Sequence, residues 1–175
     1  PHISQLMNKH TNICLNVILD HSRHLLNRLH DNSIDVCFSY LATNEISYKC
    51  IPYKTDEIIF VTNSQNIQFS NGIHNSEILH LPIIYSKFMP KSGFDWIHDI
   101  FPPHYVFQFT ISVIKEIIPF LLQYPYYAFL PRKLIENELK DGLLIEIPLL
   151  DYHIPPLQSY IIMKSNAKYN PLDYF

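Results

Sequence analysis

Short apolar runs alternate along this chain with stretches in which apolar residues return every three or four positions, and the alternation is clearest between Tyr126 and Pro148. An apolar strand is predicted over residues 127–130 and runs into Pro131, whose fixed φ suits the first turn of a helix. In that helix Leu134, Ile135 and Leu139 fall on one face, with Arg132, Glu136, Asn137 and Lys140 elsewhere. Asp141-Gly142 stops it, because glycine tolerates the left-handed conformation that closes a helix. Residues 143–147 form the next apolar strand, ended by Pro148. Strand, helix and strand of this length make a crossover unit, and a crossover implies an open sheet with helices packed on it.

The same rhythm can be followed from the start of the chain. Residues 1–10 read as a helix with Ile3, Leu6 and Met7 on one face, entered without a preceding turn, so further chain is expected upstream. Residues 13–19 read as a strand, nearly continuous in apolar character as befits one covered on both faces. Asp20-His21-Ser22 offers an N-cap for a helix with Leu25, Leu26 and Leu29 as its buried stripe, and residues 34–40 form the next strand. Strands follow at 47–53 and 57–62, with a polar loop at 63–75 and another strand at 81–86. Phe94, Trp96, Ile97, Ile100 and Phe101 suggest a helix packed by its aromatics and stopped by Pro102-Pro103. A strand is predicted at 105–109, and Thr110 is placed to cap a helix carrying Ile111, Ile114, Ile117, Ile118, Leu121 and Leu122. Pro119 should bend that helix. The final strand is 157–163, and 164–175 starts a last helix. Two similar runs of α/β elements predict two lobes, one formed by 1–58 and completed by 150–175, the other by 59–149, with the chain crossing between them twice.

Composition narrows the function. Hydrophobic residues make up 47% of the 175 and charged residues 17%, so burial outweighs chain entropy and disorder is not expected. The net charge of −3 supplies no concentrated positive surface for nucleic acid. Cys14, Cys37 and Cys50 are an odd number in apolar surroundings and read as buried free thiols in a reducing compartment. No apolar run approaches the roughly 18 residues of a membrane span, and the N-terminus lacks a signal-peptide pattern. A cytoplasmic protein is expected, with no membrane partner.

Candidate catalytic chemistry is sparse. His21 and His24 have a spacing that metals use, but without a nearby third ligand they read as a solvated or capping pair. Ser22 beside His24 lacks an orienting acid, and Glu136 and Glu138 read as a charged helix surface. There is no glycine-rich phosphate loop and no paired catalytic carboxylate. Binding is favoured over catalysis, and neither an enzyme nor a cofactor nor a metal is expected.

Residues 13–40, with Asp20-His21-Ser22, the Leu25-Leu26-x-x-Leu29 stripe and Ser33-Ile34-Asp35-Val36, resemble the effector-binding domain of LysR-type transcriptional regulators. Phe129-Leu130-Pro131-x-x-Leu134-Ile135-x-x-Glu138-Leu139-x-x-Gly142-Leu143-Leu144 is similar to a characteristic run of the same family, at a family-like separation. There are two departures. Gln123-Tyr124-Pro125-Tyr126-Tyr127 stands where the family has a glycine-rich turn, and the family's opening strand with its serine-bearing loop is missing ahead of Pro1, as is its winged helix-turn-helix.

The resemblance implies an α/β, two-lobed, periplasmic-binding-protein-like fold of type 2, with two crossover strands and the first strand missing. It implies a small-molecule effector, bound by Ser22, Tyr40, Tyr85, Ser86, Thr110 and Phe129. Bland readings stand beside these: Ser22 and Thr110 as simple N-caps, Tyr40 and Tyr85 as surface fillers, Phe129 as core. Tyr40 occupies a place where some members carry arginine. A phenol there argues against a strongly anionic effector and for a partly apolar organic acid or an amino-acid-like metabolite. The family's regulators pair as dimers or tetramers, which points to Ile3 and Met7 on one face and Ile114 and Ile118 on the other as the homodimer or homotetramer interface. DNA would be touched only through the missing N-terminal domain. The alternative is an extracytoplasmic solute-binding protein of the same fold.

Overall fold

The computed structural model describes residues 14–86 and 96–166. In chain order its elements are α1 (Ser22–His30), β1 (Val36–Ser39), β2 (Tyr48–Asp56), β3 (Ile58–Asn63), α2 (Asn75–Ile78), β4 (Ile83–Ser86), α3 (Ile97–Ile100), β5 (Phe109–Ile111), α4 (Ile117–Gln123), β6 (Tyr127–Pro131), α5 (Glu136–Lys140), β7 (Leu144–Glu146) and β8 (Leu157–Lys164), with short 3-10 turns at Ile67–Phe69, Ile114–Glu116 and Arg132–Ile135. They gather into two compact units, one running to Tyr53 and resuming at Tyr160, the other spanning Lys54–Ser159. Both boundaries fall inside strands, β2 and β8.

In the first unit, β1 pairs antiparallel with β8, from Val36 opposite Met163 to Ser39 opposite Tyr160. The sheet order is β1-β8-β2. Alternation puts Cys37 inward and Phe38 outward. The Leu25, Leu26 and Leu29 stripe of α1 packs on Cys37 and Ile162. Arg28 and His30 lie in the last turn of α1, where positive charge suits the exposed carbonyls.

Two expectations fail in this unit. Residues 14–20 form no strand, and Leu15, Val17 and Leu19 are 38%, 57% and 94% exposed. Their apolar character alone does not make a strand, since among the described residues no neighbouring strand pairs with them. Cys14 is exposed and Cys50 half-buried, so of the three free thiols only Cys37 is buried. The N-cap of α1 is His21, with no side-chain cap. The Asp20 carboxylate accepts the His21 N–H at 2.8 Å and meets His24 Nδ1 at 2.9 Å.

The second unit holds a five-stranded sheet in the order β5-β4-β6-β3-β7. β4 runs parallel to β5 and β6, whereas β3 is antiparallel to β6 and to β7. The crossover predicted from residue 127 onward is present. It connects β6 to β7 through a 3-10 turn and α5, and β3 lies between the two strands it joins. Gly142 closes it at φ +67°, its N–H bonded to Leu139 O at 3.2 Å.

Both faces of this sheet are covered, so β3 and β6 are buried almost end to end. One face is aliphatic: Ile59, Val61, Ala128 and Leu130 pack against Ile117 and Leu121 of α4 and against Ile135. Period-two alternation turns Phe60, Tyr127 and Phe129 to the other face. There the Phe129 ring meets Phe60 at 4.6 Å, Trp96 at 5.2 Å and Phe101 at 6.2 Å between centroids. Burial costs polar groups their water, and these find partners: the Asn63 amide donates to the last carbonyls of α4, at Leu121 (3.2 Å) and Leu122 (2.8 Å).

Here too the sequence reading needs correction. The edge strand is Phe109–Ile111 rather than 105–109, so Thr110 lies within a strand and caps nothing. The helix after it opens with the 3-10 turn Ile114–Glu116, and α4 proper has Glu116 at its N-cap position without a side-chain cap. Pro119 does not interrupt α4, because it sits in the first turn, where a backbone N–H has no helical partner to lose.

Candidate functional site

In the first unit the structure brings Ser22 and Tyr40 together. Ser22 is the first residue of α1 and Tyr40 directly follows β1, and the Ser22 hydroxyl accepts the Tyr40 backbone N–H at 3.2 Å. The carboxyl end of a strand and the amino end of a helix therefore meet at one hydroxyl. The first-turn N–H groups of α1 have no side-chain cap. Such a place offers donors to a polar ligand. Ser39, which was not singled out from the sequence, shapes the same corner: it is 2% exposed, accepts the Leu41 N–H at 2.9 Å and donates to Leu41 O at 3.0 Å. Its inward parity beside Cys37 was the available signal.

In the second unit Tyr85 and Thr110 are register partners across the parallel β4–β5 pair, and Ser86 stands opposite Ile111. Three of the proposed residues thus lie on adjacent strands at their carboxyl ends. Thr110 is exposed, Tyr85 half-buried and Ser86 buried. The Tyr85 ring stacks on Phe107 at 4.4 Å, and burial raises its phenol above the ordinary tyrosine range, so it is a neutral hydrogen-bonding group. Phe129 is 4% exposed, inside the aromatic cluster. Ile114 and Ile118 are half-buried and pack on the aliphatic core, while Ile3 and Met7 lie outside the described residues.

Several charged side chains of the second unit pair with one another. Arg132 bridges Glu57 and Glu146, at 2.6 Å to the latter, and Lys133 reaches Asp56 at 2.9 Å. His74 meets Asp151 at 2.8 Å, and the Tyr152 hydroxyl donates to Asp99 at 2.6 Å. Burial and the Asp99 charge push the Tyr152 phenol up to about 12. Burial likewise pushes the Cys37 thiol up to about 11, which leaves it protonated and unreactive. His21 and His24 approach edge to face at 5.9 Å, and among the described residues no three His, Cys, Asp or Glu side chains group to hold a metal ion. Among the described residues, the ends of β4 and β5 carry the hydroxyls of Tyr85, Ser86 and Thr110, chemistry for binding by hydrogen bonds. Among the described residues no helix is long and apolar enough to cross a membrane.

The family model described as the LysR substrate binding domain matches residues 1–172. No curated protein matches the chain. Among solved structures, a mutant of OxyR from Corynebacterium glutamicum is 18% identical with a TM-score of 0.71, over 95% of this chain and 54% of that one. The regulatory domain of MetR, a LysR family regulator from N. meningitidis, is 12% identical with a TM-score of 0.77, over 99% of this chain and 80% of that one. Full-length OxyR from Pseudomonas aeruginosa is 12% identical with a TM-score of 0.76, over 99% and 60%. At such identities the likeness is one of fold. The chain spans about half the length of the first of these proteins.

Proposed function

The chain belongs to the LysR substrate-binding domain family, and from that footing we propose that it is the small-molecule-sensing and dimerisation part of a LysR-type transcriptional regulator. Its fold is that of the family's regulatory domains, the type 2 periplasmic-binding-protein-like fold. The observation that carries the reading is the alignment of Tyr85 with Thr110 on parallel strands, next to Ser86. Carboxyl ends of parallel strands are where α/β sheets take ligands, because loops diverge there and helix N-termini converge.

In this reading Tyr85, Ser86 and Thr110 are the effector-binding residues of the second unit, with Phe129 as support, and Ser22 and Tyr40 are those of the first. The ligand is a partly apolar organic acid or an amino-acid-like metabolite, held by hydroxyls and backbone N–H groups in place of a bidentate arginine. Binding shifts the balance between arrangements of the regulator, and the spacing of its DNA-binding domains follows. Ile114 and Ile118, with Ile3 and Met7, form the homodimer or homotetramer contact. The regulator works in the cytoplasm and touches DNA through a winged helix-turn-helix outside this chain. The family and its structural neighbours are regulators rather than enzymes, so ligand is bound without turnover. The solute-binding alternative is not favoured by the same matches.

Thermal-shift screening of the chain against organic acids and amino acids tests the reading. A ligand at 100 times its dissociation constant should add about 2.7 kcal/mol of stability. Thr110→Val and Ser22→Ala should each weaken the response. A hit indifferent to both substitutions would remove these residues from the site, and a screen without hits would count against sensing.

A further inference from the structure

A hollow of about 450 Å³ lies in the second unit, lined by the rings of Phe109, Phe120, Tyr124 and Tyr126 together with Pro82, Ile83 and Gln108. It sits at the opposite end of the parallel strands from Ser86: Ile83 begins β4, Phe109 begins β5 and Tyr126 immediately precedes β6. Tyr85 and Ser86 lie at the far end of β4 from it.

Its rings are set at steep angles to one another. Phe109 meets Phe120 at 4.9 Å and 85°, and Tyr126 at 5.7 Å and 59°, while Tyr124 meets Tyr126 at 6.2 Å and 68°. Phe109, Phe120 and Tyr126 also pack against the aliphatic core, which fixes them before any guest arrives. A flat aromatic guest stacks on one ring face at a time. A compact, roughly spherical cation can touch faces that lie nearly perpendicular, because each ring offers the negative side of its quadrupole. No lining side chain carries a formal charge, so nothing there repels a cation or competes for it. The volume falls within the range of small-ligand sites.

We propose that this hollow is an aromatic cage for a quaternary ammonium group, a second ligand site on the domain. Tyr124, 50% exposed at the end of α4, is its outer wall. Gln108, Tyr124 and Tyr126 line the same hollow and bring groups that can hydrogen-bond a polar arm of the ligand.

Calorimetric titration of the 175-residue chain with choline, tetramethylammonium and the neutral choline isostere 3,3-dimethylbutan-1-ol, at constant ionic strength, is the test. Both cations should bind, and the isostere about five-fold or more weaker, the difference that a partly desolvated cation–π contact supplies. Tyr124→Ala should weaken choline binding by about five-fold, while Tyr124→Phe keeps it within about two-fold. Circular dichroism confirms that both variants are folded, as an exposed position allows. Equal binding of choline and its isostere, an unchanged constant in Tyr124→Ala, or no heat from either cation would each overturn the proposal. These readouts are separate from the organic-acid and amino-acid screen that tests the effector residues.

Discussion

The hydroxyl of Ser22, at the head of α1, accepts the backbone N–H of Tyr40 at 3.2 Å, across eighteen positions of sequence. The bond ties the start of the helix to the end of the strand that follows it. Ser22→Ala leaves a half-buried N–H without that partner and should destabilise the chain by about 1 kcal/mol. Urea denaturation reads the effect, and Ser22→Thr, which keeps the hydroxyl, should recover most of it.

Leu121 is fully buried between α4 and the aliphatic face of the second sheet. Leu121→Ala removes buried methyl groups in a place pinned by Val61, Ala128 and Leu130, where collapse is restricted. A loss of about 2–5 kcal/mol follows, measured by chemical denaturation. A loss below 1 kcal/mol would show that the α4 packing is looser than described.

The exposed His74–Asp151 pair gives stability a pH dependence. The hydrogen bond to Asp151 raises His74 above its ordinary 6.5, and the same bond holds Asp151 below its ordinary 3.8. The His74 contribution is complete below 6.5 and is lost as pH rises through the raised value. The Asp151 contribution is complete above 3.8 and is lost as pH falls through the lowered one. Between these limits both act. The gap in urea midpoint between the native chain and His74→Gln should therefore be widest near pH 5–6 and close as pH rises past neutrality. A gap that stays constant from pH 5 to 9 would show that the pair does not titrate as argued.

Ile118 is half-buried on α4, a residue with apolar surface to spare. Ile118→Glu should shift the oligomer toward monomer in sedimentation velocity if this face pairs subunits. An unchanged mass with a native far-ultraviolet spectrum takes the face out of the interface.

Several elements were legible because their signals are local. Pro131, the Leu134, Ile135 and Leu139 face, and Gly142 specify the crossover from within about a dozen residues, and the structure has it there. The antiparallel insertion of β3 between β6 and β7 was not legible, since it is decided by pairing with residues far along the chain. Tyr105, Phe107 and Phe109 alternate like a strand, yet the first two rings are taken up by Phe101 at 4.8 and 4.9 Å, and β4 pairs instead with 109–111. That displacement moved Thr110 from a cap to the middle of a strand. The Ser22–Tyr40 contact escaped for a related reason: a serine at a helix start reads as a cap, and only the three-dimensional turn shows its hydroxyl spent on another segment.

The pairing of Val36 with Met163 has a consequence for how the protein is made. On the ribosome, β1 emerges before residues 54–159 and must wait for all of them before β8 can zip against it, whereas Lys54–Ser159 is contiguous and can fold as soon as it clears the exit tunnel. The order of birth and the order of folding are thus reversed: the second unit can be complete while the first still waits for residues 160–163 to pair with β1.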